Sequence, residues 1–466
     1  MTDESGNDIF GLRGAAAARA DLEAESAWLQ RHFLLTHNPF PPSGISPDAP
    51  DGPPLRDEQG AEITPRIRRF IRSAFGSRSS TQGLVIIGAY GTGKSHLLRL
   101  MHHHINERLG TGDDKALSIY VDRPRLEAQD LNRGILRSLG EDTVRKMLWY
   151  CVRFEIAQDI RDQSEHLKSL QRQLQGAIFA SGADPAKDRV LDPVFRTENL
   201  GDYRQFLTAF DSQGWIRPQL HDYFVGLYQR SLDPGSPLEV IEAFVALLLA
   251  KDHTARQTWE SLLALGKRRK VPLMGAPEFL EDLLRMTRIN GYAYTFLLID
   301  EFEEVPAGYL LTKRQKADYM YTLMEMLNRV QAGLGLVLAI TPQAWNLLTS
   351  EAPPLSDRLP TVIRLGALDA ESMGRLFAFY LERARVGNGP DAHEPLFPLS
   401  LELVSQLAMG LPDPTPRNAL QFAYQLLCHC AEHRVETISP ETMDSVLEEF
   451  RSMKLADSQK RVLRGR

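Results

Sequence analysis

Residues 84–95 read Leu84-Val85-Ile86-Ile87-Gly88-Ala89-Tyr90-Gly91-Thr92-Gly93-Lys94-Ser95, an apolar run delivered into a glycine-rich turn that ends in lysine and serine. Leu97, Met101 and Ile105 then recur every fourth residue, so strand, turn and helix follow in that order. A turn whose backbone N–H groups all face one anion needs the conformational freedom of glycine. The pattern is a P-loop. Gly88 leaves the strand, Gly91 and Gly93 let the backbone close around a β-phosphate, Lys94 reaches the β- and γ-phosphates, and the Ser95 hydroxyl ligates Mg²⁺. Ala89, Tyr90, Thr92 and His96 belong to the same candidate binding set, and the following helix adds its positive end. The implied ligand is a nucleoside triphosphate with Mg²⁺.

The chain around this loop has 466 residues, of which 43% are apolar, enough for a sizeable core and for about three compact units. Net charge is 54 − 60 = −6, so no whole-molecule basic field draws in nucleic acid or an acidic membrane, and any such contact is local. Three cysteines imply no disulfide framework. The start Met1-Thr2-Asp3-Glu4-Ser5 lacks the basic and apolar regions of a leader, which sets a cytoplasmic expectation. The longest apolar run, 243–250, is far too short to cross a bilayer, so no membrane partner is expected.

Residues 1–14 read as disordered and 15–35 as a helix, ended by Asn38-Pro39-Phe40-Pro41-Pro42. From there to Gly60 the composition suits a loop lying over another surface. Thr64-Pro65 starts a helix that buries Ile67, Phe70, Ile71 and Phe75; Arg66, Arg68, Arg69 and Arg72 face the other way, either solvated or meeting phosphates. A second strand fits 117–122. Between about 126 and 290 only helical periodicity remains, which predicts a large helical insertion. Within it Lys267-Arg268-Arg269-Lys270 is a basic cluster, again a phosphate candidate or a solvated loop.

The sheet pattern returns at Tyr294-Thr295-Phe296-Leu297-Leu298-Ile299-Asp300-Glu301, an apolar strand ending in two carboxylates. This is a Walker B pattern: Asp300 shares Mg²⁺ with Ser95, and Glu301 is the candidate base for an attacking water. Glu303 and Glu304 are expected at the surface. A strand at 335–340 ends in Thr341-Pro342, where a hydroxyl suits either a γ-phosphate sensor or a cap. Arg358, just before an apolar strand at 361–365, either reaches a neighbouring subunit's site or pairs with Asp357. Thr415-Pro416 starts a later helix, and Arg417 in its first turn is an unfavourable cation unless an anion is near. Cys428-His429-Cys430 and His102-His103-His104 fall on different helix faces and read as core rather than metal ligands. The tail from Arg451 is the most basic stretch.

Taken in this order, the motifs resemble an AAA+ ATPase over roughly residues 60–125 and 291–455. The resemblance implies an α/β core with a five-stranded parallel sheet, arranged as an N-terminal helix and loop (1–60), a first core part (61–125), the helical insertion (126–290), a second core part (291–368), a helical lid (369–455) and a basic tail (456–466). Within that superfamily, residues 297–303, Arg314, Tyr321, Ala339-Ile340-Thr341-Pro342 and Asp357-Arg358-Leu359 are similar to BREX-type phage-defence ATP-binding proteins, and to initiator and transposition-regulator ATPases. By that resemblance Asp300 is the Mg²⁺ residue, Glu301 the base, Thr341 sensor 1, Arg358 the finger and Arg417 sensor 2. It also implies Mg²⁺-ATP as cofactor and an ATP-dependent homo-oligomer such as a hexamer-like ring, with DNA and further proteins of a defence or transposition system as partners. Three functions are compatible: an ATP-driven switch or motor in anti-phage defence, a transposition or replication regulator that assembles on DNA, and a non-hydrolysing nucleotide-gated scaffold.

Overall fold

The computed structural model describes residues 15–44, 56–76, 82–110, 115–124, 128–162, 164–170, 172, 217–231, 238–264, 277–308, 311–330, 333–387 and 394–464. The basic cluster 267–270, residues 1–14 and the end of the tail at 465–466 lie outside them. The chain forms two compact units, not three. One comprises 66–87 and 95–363; the other comprises 1–65, 88–94 and 364–466.

The first unit is built on a five-stranded sheet of β1 (Gln82–Gly88), β2 (Lys115–Val121), β3 (Tyr292–Ile299), β4 (Leu334–Ile340) and β5 (Thr361–Leu365), in the order β2-β3-β4-β1-β5. The chain leaves β1 for β2 two places beyond the adjacent position, and β3 and β4 later fill the gap. Parallel pairing of Ile87 with Ile340 and of Ile299 with Leu338 fixes the register, so the carboxyl ends of β1, β4 and β3 lie side by side. Ligands of open parallel sheets bind outside such ends, where the strand order reverses. All seven residues of β4 are buried, which is why the central strands read as uninterrupted apolar runs.

Helices cover both the sheet and each other. α1 (Ala15–Phe33) belongs to the second unit, while α2 (Thr64–Gly76) lays Phe70 and Phe75 against Phe296 and Tyr294 of β3, with ring centroids 6.1 and 5.9 Å apart. α3 (Lys94–Arg108) follows the loop. The predicted insertion is helical wherever it is described: α4 (Ala128–Leu139), α5 (Glu141–Asp162), α6 (Arg217–Ser231), α7 (Leu238–Leu248), α8 (Asp252–Leu263) and α9 (Pro277–Ile289). Leu148, Phe224 and Phe244 from these helices join Ile119 and Leu297 of the sheet in one apolar cluster. That shared core is the reason for two units where length suggested three. α10 (Lys313–Arg329), α11 (Pro342–Glu351) and the short α12 (Pro353–Ser356) complete the unit.

The second unit has its own core. α13 (Ala370–Arg383), α14 (Leu401–Gly410), α15 (Pro416–His433) and α16 (Pro440–Arg464) surround Phe377, Phe422 and Phe450, and α1 adds Trp28, Leu29 and Phe33 to the same cluster. Asp369, Ser400 and Thr415 cap three of these helices by accepting from Ser372, Leu403 and Asn418 N–H. The segment after α1 lies over α13 and α15: Phe40 is buried 5.3 Å from the Phe377 ring, and Asn38 donates to the Tyr424 carbonyl at 3.0 Å. Cys430 is buried here and Cys428 half-buried, its thiol 3.6 Å from Glu25. Among the described residues, no helix is long and apolar enough to cross a membrane.

Candidate nucleotide site

In the second unit, the loop 88–94 takes the backbone its glycines allow. Gly91 and Gly93 have φ of +83° and +98°, and a Cβ on Gly88 would collide with the Thr92 hydroxyl. Thr92 Oγ1 donates to the Ala89 carbonyl at 2.8 Å, which ties the turn across its base. Lys94 is buried, and its ammonium donates to the Gly88 and Ala89 carbonyls at 2.8 and 3.3 Å, with the exposed Tyr90 ring 5.4 Å away. Those carbonyls hold the cation over the loop, where a phosphate would meet it.

The start of α15 sits directly on this loop. Arg417 N–H donates to the Gly91 carbonyl at 3.3 Å, and a Cβ on Gly91 would press on Arg417 Cβ and Thr415 Oγ1, both at 3.1 Å. On its other side the Arg417 backbone meets Gly44, whose φ is +66°. The N-terminal segment thus holds Arg417 against the loop, a contact no sequence pattern announced. A pocket of about 140 Å³ opens beside Thr92, lined by Arg56, Gly60, Leu368, Asp369 and Pro416 among others. Its wall is fixed by an Arg56–Glu371 pair with two contacts of 3.2 Å and by the Glu58 N–H, which donates to the Arg364 carbonyl at 3.0 Å.

In the first unit, Asp300 and Glu301 follow β3 into different surroundings. Asp300 is buried; Tyr120 on the neighbouring strand donates to its Oδ2 at 2.8 Å, and Glu301 N–H donates to its Oδ1 at 2.9 Å. Burial, then the Asp300 carboxylate, push the Tyr120 phenol far above its ordinary range, so it stays a donor. Glu301 is half-buried with φ +48°, an observed left-handed residue that costs about 1 kcal/mol. Arg123, just past β2, grips its carboxylate at 2.6 Å and reaches Glu304 at 3.7 Å. Burial raises the Glu301 pKa, Arg123 opposes that, and Asp300, Glu304 and Asp122 add to it. Glu303, expected at the surface, is instead buried: the turn 302–304 that buries Phe302 carries it inward. His96, at the start of α3, has its imidazole pKa lowered by burial and then by Arg99, so it adds no charge at neutral pH.

Residues 77–183 match the family model described as AAA domain. The match spans the P-loop, and the sheet carries a strand between those of the P-loop and Walker B pattern. The segment 77–183 thus carries an AAA domain. No curated protein matches the chain. Among solved structures, the chain is similar to the Aeropyrum pernix ORC2 protein in its ADPNP-ADP complexes, at 12% identity and TM-score 0.45 over 86% of this chain and 70% of that one. It is also similar to the Aeropyrum pernix ORC1 protein in complex with DNA, at 11% identity and TM-score 0.41 over 88% and 69%.

The remaining candidates divide by position. Thr341 follows Ile340, the partner of Ile87, and caps α11 by accepting from Ala344 N–H at 3.4 Å. A capping hydroxyl keeps its own proton to donate, so cap and sensor are compatible. Arg358 lies at the opposite, amino-terminal edge of the sheet: its backbone packs on Gly83, four residues down β1 from Ile87, or about 13 Å of strand. It is exposed and donates to Asn328 at 2.7 Å, not to Asp357. Ser95 and Asp300 supply a hydroxyl and a carboxylate, the hard oxygen donors that suit Mg²⁺. Among the described residues no three His, Cys, Asp or Glu gather as a metal site. Tyr120 and Arg123 were missed because nothing in their own neighbourhood marks them; only the pairing of β2 with β3, Tyr120 opposite Leu298, brings them to the carboxylates.

Proposed function

We propose that this AAA+ protein binds Mg²⁺-ATP, hydrolyses it, and works as an ATP-driven oligomeric switch or motor acting on DNA with partner proteins of a bacterial anti-phage defence system. The observation that carries the chemistry is the contrast between the two carboxylates: Asp300 fixed by two donors, Glu301 with a raised pKa and paired with the exposed Arg123. The loop N–H groups and Lys94 hold the phosphates, Ser95 and Asp300 hold Mg²⁺, and the ion when bound neutralises phosphate charge. Glu301 takes the proton of the attacking water. Thr341 and Arg417 donate to the γ-phosphate, the pocket beside Thr92 receives the base, and Arg358 serves the site of the next subunit. The defence role rests on the resemblance of 297–303, 339–342 and 357–359 stated above.

Arg123 also favours a second reading, a nucleotide-gated scaffold, because it engages the base candidate Glu301. Size-exclusion chromatography with light scattering distinguishes ATP-driven assembly: the wild type should enlarge on adding ATP, Lys94→Ala should not. Mixing Lys94→Ala with Arg358→Ala should restore part of the phosphate release, since mixed interfaces hold an intact loop facing an intact arginine. A wild type whose size ignores ATP, or co-assembled mutants that recover nothing, would contradict the switch and the trans arginine respectively. In cells, Lys94→Ala should abolish any phage protection; equal protection would remove ATP from that role.

A further inference from the structure

We propose that the outward face of α2 is a DNA-backbone surface on which Arg68, Arg69 and Arg72 hold phosphates. The inference rests on the reading that the protein acts on DNA and names the surface that would do so. α2 carries four arginines and no acidic residue, in a chain whose net charge is −6. Arg66 is spent on the Val362 carbonyl of β5. Arg68, Arg69 and Arg72 are exposed and, among the described residues, make no ion pair or hydrogen bond.

Several other helical arginines are paired locally. Arg133, Arg145, Arg285, Arg329 and Arg375 each face a carboxylate one turn away on their own helix. A solvated face normally mixes signs in that way. On α2 three guanidinium groups instead share one turn of a helix that carries no carboxylate, an arrangement that an external anion would stabilise.

The geometry selects the kind of anion. Arg68 to Arg72 spans about 6 Å along the helix axis, close to two phosphate steps of one DNA strand. All three are arginine, whose planar fork takes phosphate bidentately. A basic amphipathic helix can also bind a membrane, but that mode inserts its apolar face. Here Phe70 and Ala74 are 3% and 0% exposed, and Phe70 and Phe75 pack on the rings of β3, so the apolar face is engaged by the sheet rather than offered to a bilayer. Contacts of this kind position a duplex without reading its bases.

The test is fluorescence anisotropy with a mixed-sequence DNA duplex and ATP across a salt series. It compares wild type, the triple variant Arg68→Glu/Arg69→Glu/Arg72→Glu, and the triple lysine variant. Losing three phosphate contacts should lower the slope of log affinity against log salt by about 2.7, with binding weaker at every salt; the lysine variant should keep most of the slope. If the wild type binds and the glutamate variant keeps its affinity and slope, the α2 surface is wrong and the DNA reading stands. If the wild type binds no duplex at low salt with ATP, both fail. Loss of ATP binding in the glutamate variant, or arginine-dependent binding of phosphatidylserine vesicles or polyglutamate in place of duplex, would also overturn the proposal.

Discussion

The loop at 88–94 and the edge of β3 at 299–301 achieve their geometry by different means. In the loop, position is a property of the backbone: two glycines at positive φ, a third that leaves room for Thr92, and a lysine that folds onto the carbonyls beside it. At the strand end, position is made by side chains that belong elsewhere: Tyr120 orients Asp300, and Arg123 holds Glu301. A site encoded in backbone conformation fails when one backbone torsion is denied. A site encoded in side-chain partners is adjusted by each partner separately.

The sharpest way to break this contrast is Gly91→Ala. A side chain at φ +83° costs about 1–2 kcal/mol, and here its Cβ would also press on Thr415 and Arg417. Nucleotide affinity should fall by about tenfold or more, read by titration with a fluorescent ATP analogue. Gly140→Ala is the control, with φ +78° and nothing within 4 Å; it should lower thermal stability and leave affinity unchanged. Equal affinity in both variants would mean that the loop tolerates the torsion and that the glycines are not what builds the cradle.

The same contrast explains what was legible in the sequence. The loop, the strands, the Thr415 cap and the helices of 128–162, 217–231, 238–263 and 277–289 were readable because each depends on residues within one turn or one strand of each other. The strands came out one or two residues longer at their starts, where Lys115 and Tyr292 still pair. The hold of Gly44 on Arg417, the Arg358–Asn328 bond and the shared core of insertion and sheet were not readable, because their partners are far apart in the chain. Glu303 was misjudged for a related reason: an acidic run reads as surface, yet Phe302 must be buried and turns its neighbour inward.

A smaller effect sharpens the comparison from the other side. Burial lifts the Glu301 pKa, and Arg123 is the cation that opposes the lift. A base acts only when ionised, so turnover should be lost as pH falls through this raised value. Arg123→Ala removes the opposing charge and should move the acid limb of the pH–rate profile to higher pH. The fold responds with the same sign: because the folded pKa lies above the unfolded one, Glu301's favourable contribution is present below the ordinary glutamate range and fades as pH rises through the folded value. The half-exposed pair itself should be worth no more than about 1 kcal/mol. An unmoved acid limb in Arg123→Ala would mean that another group sets it.

The assignment of different tasks to two adjacent carboxylates is tested most directly by phosphate release from Glu301→Gln at saturating Mg²⁺-ATP. The substitution keeps the shape and an oxygen but removes the base, while Lys94, Ser95 and Asp300 are untouched. Turnover should fall by about 10²–10⁴-fold, with the affinity for the ATP analogue unchanged. Release at the wild-type rate would take Glu301 out of the mechanism.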